Sequence, residues 1–312
     1  MNEFEIIQHP QIEGISLFFD TVDYRTPHFH PELELVLVLE NELEVTFGPG
    51  TYTVTPGTPV LFVPNQPHEF HCPGGSCTFL CVQIDPRCFS RGFPGLEELV
   101  FDSPFPARWL SEGELCALRK TLFAVLRAYL EQPDCYQLFC MGQLGLVLHT
   151  LLTRMPTHRE SAEEAADRLR RNARLERLLR FVDENYMHPV RLTDFARTEG
   201  RSMSHLSHFV KETMNQSFQE YVGMVRFNAA CKLLRDGDKK LLDVCSEAGF
   251  SDYRYFSAAF RRRVGMTPEE YRRNVGAPVP AEKIHHSLHS LERFYSREKS
   301  LQLCEKYEAA TL

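Results

Sequence analysis

Two stretches in the second half of the chain repeat one another at an offset of 49–50 residues. The first reads Leu192-Thr193-Asp194-Phe195-Ala196, then Gly200, Ser202, Leu206, Val210-Lys211, Asn215, Ser217 and Tyr221. The second reads Leu241-Leu242-Asp243-Val244-Cys245, then Gly249, Ser251, Phe256, Phe260-Arg261, Gly265, Thr267 and Tyr271. In each copy a short apolar helix ends at a glycine, which permits a left-handed turn. A polar residue, Ser202 or Ser251-Asp252, then caps a new helix by satisfying its orphan amides. This spacing predicts two helix-turn-helix units, each with a second helix free to enter a major groove. A long helix over about 218–235 joins them.

The second helix of each copy has a buried stripe and an outward face. In the first, Leu206 and Val210 face in, while Ser204, Ser207, His208 and Lys211 face out. In the second, Phe256 and Phe260 face in, while Tyr253, Arg254, Ser257 and Arg261 face out. With Ser202 and Ser251, these outward residues are the candidate DNA contacts, because hydroxyl, imidazole and guanidinium groups reach base edges and phosphates. One such unit reads equally well as a solvated face of a helical bundle. Two at a fixed offset lower that reading sharply.

Charge agrees with this division. The net charge is −7, but residues 1–171 carry 12 Lys+Arg against 23 Asp+Glu, and residues 172–275 carry 18 against 14. An acidic half joined to a basic segment suggests a sensing part and a polyanion-binding part. With 312 residues, 43% hydrophobic and 25% charged, the chain has the length and composition of about two globular domains, not of a disordered or collagen-like protein. No apolar run reaches the roughly 20 residues of a membrane span. The start (Met1-Asn2-Glu3-Phe4-Glu5) has no basic region of a secretory signal, so a cytoplasmic location is expected. The ten cysteines contain no CxxC pair and are expected to be reduced, inert thiols.

Residues 1–90 read as short strands, including Leu33–Leu39 and Thr51–Thr55, with Pro/Gly punctuation at the spacing of a β-sandwich or barrel. From Glu114 the period changes to 3 and 4, which predicts helices over about 114–131 and 135–154. Leu115, Leu118, Leu122 and Leu126 of the first are the candidate dimer face. Met155 to Asn172 reads as a partly helical linker. On a strand, His28, His30 and Glu34 share one face, and Val36 and Val38 share it too, so all five line one cavity. Leu33, Leu35, Leu37 and Leu39 then pack outward against helices.

The string Glu247-Ala248-Gly249-Phe250-Ser251-Asp252-Tyr253, followed by Tyr255-Phe256-Ser257, Phe260-Arg261 and Gly265-Met266-Thr267-Pro268-Glu269-Glu270-Tyr271-Arg272, closely resembles the signature of AraC/XylS-family transcription regulators. The similarity covers about 174–275. It implies a seven-helix domain whose two units reach successive major grooves on one face of DNA, about 34 Å apart. The sequence departs from that pattern at Glu199 and Arg201, where apolar residues are usual, and at Asn215, Cys245 and Ala258. His28-Phe29-His30-Pro31-Glu32-Leu33-Glu34, with the later Gly57 to His68 segment, resembles the two cupin motifs. In metal-binding cupins the matching residues, here His28, His30, Glu34 and His68, form a three-His, one-carboxylate site suited to Zn, Ni, Fe or Mn.

The fold class expected is therefore α+β and multidomain: a cupin-like β-barrel plus helices, then an all-α domain with two helix-turn-helix units. The expected boundaries are 1–154 for effector binding and dimerisation, 155–172 for the linker, 173–275 for DNA binding and 276–312 for a C-terminal tail. The expected function is sequence-specific, effector-controlled transcription regulation, not catalysis. The effector pocket is expected at His28, His30, Glu34, Val36, Val38 and His68. No cofactor is required, although the ligand set allows a divalent transition metal in the barrel. Expected partners are double-stranded DNA, a small-molecule effector, a second copy of the chain and, through the resemblance, RNA polymerase, with no membrane. The rivals are a metal-dependent cupin enzyme fused to a DNA-binding module and, less well matched by the cysteine spacing, a DNA-repair methyl acceptor.

Overall fold

A computed structural model of the chain describes residues 12–48, 50–235, 239–264, 266–274, 283–287 and 290–311. The first half builds β1 (Ile15–His28), β2 (Leu33–Glu40), β3 (Leu43–Phe47), β4 (Gly50–Val54), β5 (Pro59–Phe62), β6 (His68–His71) and β7 (Cys77–Ile84). They form one antiparallel sheet, in the order β4-β3-β6-β1-β7-β2-β5, curled into a nearly closed barrel. Strand alternation divides its side chains into two cores. Val36, Val38, Val45, Val60, Phe62, Phe70 and Phe79 fill the inside. Leu33, Leu35, Leu37 and Leu39 point the other way, into a core shared with helices, as their parity requires.

Those helices follow a short strand β8 (Leu99–Phe101). They are α1 (Glu112–Glu131) and α2 (Tyr136–Arg154). Ser111 and Glu114 form a reciprocal capping box that starts α1. Leu115, Leu118, Leu122 and Leu126 are all buried in the core between α1 and the barrel wall. They are therefore consumed within one chain, and the expectation that they form the dimer face is corrected. The barrel's own outward leucines compete for that stripe and win it. Of these two helices it is α2 that carries exposed large apolar side chains, at Leu138, Phe139 and Leu146.

The segment expected to be a linker is more ordered than its polarity suggests. Strand β9 (Thr157–Arg159) pairs with β8, and α3 (Ala162–Asn185) runs unbroken through residue 172. A second capping box, Ser161 with Glu164, starts α3. Its charged first turns look like solvated tether, but its later Leu175, Leu178, Leu179 and Val182 are core residues of the helical half.

That half continues with α4 (Leu192–Glu199), α5 (Met203–Met214), α6 (Phe218–Arg235), α7 (Leu241–Glu247), α8 (Tyr253–Val264) and α9 (Pro268–Asn274). With α3 these make seven helices around one apolar cluster. The repeat extends to the caps. Ser217 and Glu220 open α6, and Thr267 and Glu270 open α9, each pair exchanging two backbone hydrogen bonds of 2.7 and 3.2 Å. Among the expected breaks, residues 236–238 and Gly265 lie outside the described residues.

The described residues of the expected C-terminal tail, 283–287 and 290–311, meet the first half of the chain. Strands β10 (Lys283–Ser287) and β11 (Ser290–Phe294) form a hairpin, and β11 pairs with β1 from Asp20 to Arg25. Helix α10 (Arg297–Thr311) then packs on α1: Leu303, Cys304 and Tyr307 join the core, and Arg127 meets Glu308 at 2.5 Å. His285 and His286 sit on β10, and His289 lies outside the described residues. The weak amphipathicity of this segment gives no hint of a partner more than 250 residues upstream.

Candidate functional site

Strand β1 ends at His28, and a turn leads into β2. Strand β5 leads through a loop to His68 at the start of β6. These segments meet at one end of the barrel. One donor atom from each of His28, His30, Glu34 and His68 lies within 4.8 Å of the others. None of the four residues is more than 2% exposed. His30 Nε2 lies 2.8 Å from Glu34 Oε2, which also accepts from Gln83 Nε2 at 2.8 Å. Gln83 is buried on β7, and no sequence motif marks it; its signal is a long polar side chain in a strand whose other polar residue is Thr78.

Two of the imidazoles are oriented from behind. His28 Nδ1 donates to the Thr26 carbonyl at 2.9 Å, and His68 Nδ1 donates to the Gln66 carbonyl at 2.8 Å. A carbonyl only accepts, so each Nδ1 carries the proton and each Nε2 presents a lone pair. Neither Nε2 has a hydrogen-bond partner among the described residues. Burial holds the His28 and His68 pKa values below that of a free imidazole. Burial works to raise that of Glu34, but the His30 ring at hydrogen-bond distance and the nearby His68 ring outweigh it and hold the carboxyl well below the usual carboxylate range. Neutral imidazoles with aimed lone pairs beside an ionised carboxylate are what a divalent cation needs. The residues present therefore fit a transition metal, which would act there as a fixed positive charge drawing the four side chains together.

Aromatic rings back this cluster. Phe62 stacks on His68 with centroids 4.1 Å apart, and Phe70 lies 5.6 Å from His28. Val36 and Val38, expected to line the same cavity, are on that face but packed among Phe62, Phe70 and Phe79. The ligand end of the barrel thus has a polar mouthful of four donors against a filled apolar floor.

On the helical half, Ser202, Ser204, Ser207, His208 and Lys211 are all exposed, as are Ser251, Arg254 and Arg261. Ser202 caps α5 by accepting from the His205 amide at 3.2 Å. In the second unit Asp252, not Ser251, takes that role and accepts from the amides of Arg254 and Tyr255. The Arg254 side chain is 92% exposed. Ser257 is partly covered. Tyr253 is half-buried and its hydroxyl donates to Glu269, so it faces its own domain more than its position suggested. His208 pairs with Glu212 at 3.1 Å, and Lys211 Nζ donates to the Asn215 carbonyl at 3.1 Å.

The departures from the family pattern have local reasons. Glu199 accepts from Nε and Nη2 of Arg177, at 2.6 and 2.9 Å, so a carboxylate replaces an apolar contact with a bidentate ion pair. Asn215 adopts a positive φ of 50°, which asparagine tolerates better than other side chains. Cys245 is buried, as a small residue should be there.

A buried ligand cluster in a barrel, joined to two helix-turn-helix units with open outer faces, defines a sensing and DNA-binding protein. The AraC-like ligand binding domain matches residues 9–179, and the helix-turn-helix domain matches residues 195–274. The chain belongs to the AraC family of transcriptional regulators. Among its relatives is the HTH-type transcriptional regulator ExsA of Pseudomonas aeruginosa, 26% identical over 84% of this chain and 92% of ExsA. The transcriptional activator RhaS of Klebsiella pneumoniae is 23% identical over 78% of this chain and 86% of RhaS. Among solved structures, the C-terminal domain of AraT from Geobacillus stearothermophilus is 23% identical over 37% of this chain and 96% of that one, with a TM-score of 0.32. ToxT from Vibrio cholerae is 14% identical over 87% of this chain and all of that one, with a TM-score of 0.39. No helix among the described residues is long and apolar enough to cross a membrane.

Proposed function

We propose that this regulator reads a specific operator through α5 and α8, under the control of a ligand held at His28, His30, Glu34 and His68. Residues 1–154 form the working sensing unit and residues 173–275 the working DNA-binding unit. The observation that carries this reading is the exposure of Ser204, Ser207, His208 and Lys211 on α5 and of Arg254 and Arg261 on α8, with α6 connecting the two units. Sensing fits the barrel better than turnover, because the four donors are shut in and backed by packed rings. We also assign to this reading a cytoplasmic location, contact with RNA polymerase, and a homodimer. For the last, the exposed Leu138 and Leu146 of α2 replace the α1 leucines as the candidate face.

Gel shifts of the full chain on DNA upstream of its own gene test the proposal. Salt-sensitive binding that selects sequence is expected, and binding without sequence preference would refute it. Arg254→Ala should relax discrimination at one or two base pairs by about 1–3 kcal/mol, the worth of a bidentate Arg–guanine contact. Arg261→Ala should instead weaken all sequences alike and lower the salt slope by about 1, the mark of a phosphate contact. An unchanged binding motif for the Arg254 variant would remove that residue from the base-reading face.

A further inference from the structure

The residue between the two histidines of β1 and the following turn does not belong to the barrel's core. Strand-like alternation sends His28 and His30 into the barrel and Phe29 out of it. Phe29 is 4% exposed and is buried in the apolar cluster of the helical half, with Leu175, Phe209 and Val225. The other ligand-bearing segment touches the same half. The Pro64 carbonyl accepts from Arg168 Nη1 at 2.9 Å, and the Asn65 carbonyl accepts from the Asn172 side chain at 2.6 Å, both on α3. Asn172 is buried.

The two segments are also tied to each other. The Asn65 amide donates to the His30 carbonyl at 2.7 Å, and the Gln66 carbonyl orients His68. Beyond His68, Glu69 accepts from Tyr24 at 2.7 Å and from Gln216, in the turn between α5 and α6, at 3.3 Å. His28, His30 and His68 are thus each within three residues of a contact to the helical half.

We propose that His28, His30, Glu34 and His68 bind a divalent transition metal, and that the bound ion seats the helical half on the barrel through Phe29 and the Asn65 carbonyl. This rests on reading the barrel as the sensing half. The cluster is small, closed and backed by rings, which suits an ion better than an organic effector. Drawing four donors onto one ion, at bond lengths of about 2.0–2.2 Å, pulls the 28–30 and 64–68 segments together. Phe29 and Asn65 then hold fixed positions against α3 and α6. Without the ion, two imidazole lone pairs and a carboxylate face one another in a buried space, and the segments are joined by the Asn65–His30 hydrogen bond and by the pairing of His28 with His68 across β1 and β6. The ion must favour the seated arrangement for this to regulate anything.

The test uses the full chain, stripped of metal by a chelator and titrated with zinc, with magnesium as the control for a hard cation. One zinc per chain is expected by calorimetry, and no magnesium. Hydrogen exchange should slow by about tenfold over residues 164–175 and 214–226 on zinc binding, a typical size for coupling between sites. Glu34→Gln keeps the shape that Gln83 and His30 hold, so it should fold, yet lose zinc affinity by about a hundredfold or more. Phe29→Ala should still take one zinc per chain but lose the slowing at 164–175 and 214–226. The proposal is overturned by a folded parent chain that takes up no stoichiometric zinc. It is equally overturned by zinc binding without altered exchange, or by a Phe29→Ala variant that keeps the full zinc response. None of these readouts involves DNA, so zinc-dependent seating in a chain that ignores operator DNA would uphold the clamp while sinking the regulator reading.

Discussion

Phe260→Ala is expected to cost about 3–5 kcal/mol of stability, the usual range for emptying a buried aromatic site. Phe260 is fully buried. Its ring centroid lies 4.7 Å from Phe227 on α6, 5.2 Å from Phe256 on α8 and 5.3 Å from Tyr271 on α9. One side chain therefore holds three helices, and three rings cannot collapse together into the space it leaves. Denaturant unfolding followed by circular dichroism would measure the loss. The chain's single tryptophan, Trp109, lies outside the helical half, so its fluorescence reports on the barrel side separately. The dichroism transition should move much further than the fluorescence transition. A loss below about 1 kcal/mol, the centre of ordinary point mutants, would mean that the second unit is not packed around this ring.

Gly249→Ala is expected to cost about 2–5 kcal/mol, and Gly200→Ala much less, although the two glycines hold equivalent places in the repeat. Both have positive φ, 80° and 60°, so each alanine incurs about 1–2 kcal/mol of left-handed strain. They differ in what surrounds them. A Cβ at Gly249 would fall 2.4 Å from the Tyr186 carbonyl oxygen and 2.8 Å from Met187 Cα, while one at Gly200 would meet nothing within 4 Å. The backbone at 186–188 cannot easily retreat. Arg226 on α6 donates to the carbonyls of Tyr186 and His188 at 2.8 and 2.9 Å. Overpacking then adds about 1–3 kcal/mol at Gly249 alone. Thermal unfolding of the two variants in parallel tests this, and equal losses would contradict the close approach of the α7–α8 turn to the end of α3.

The comparison of these glycines shows where sequence reading stops. Gly200 and Gly249 announce the same turn, because turn conformation is a property of adjacent residues. Whether a neighbouring backbone lies against the turn depends on α3, more than 60 residues away. The leucines behave alike. Their spacing in α1 correctly predicts an apolar face, but the face is spent on the barrel instead of a second chain. Phe29 looked like one more strand residue between two histidines. Its parity said only that it points away from them, not that a different core receives it. The charged start of α3 suggested a loose tether because solvation and helix formation are both compatible with charge; the capping box Ser161-x-x-Glu164 was the signal that it is helical.

What the sequence determined by itself was everything encoded within a few residues of itself: strand parity, helical period, caps, and the repeated turn that marks two DNA-binding units. Those depend on bond geometry and on hydrogen bonds to near neighbours. Only the tertiary structure decided which partner each face meets: that Gln83 stands behind Glu34, that Phe29 crosses to the helical half, and that residues 290–311 return to β1 and α1. Such partners are chosen by burial summed over the whole chain, a quantity no local pattern contains.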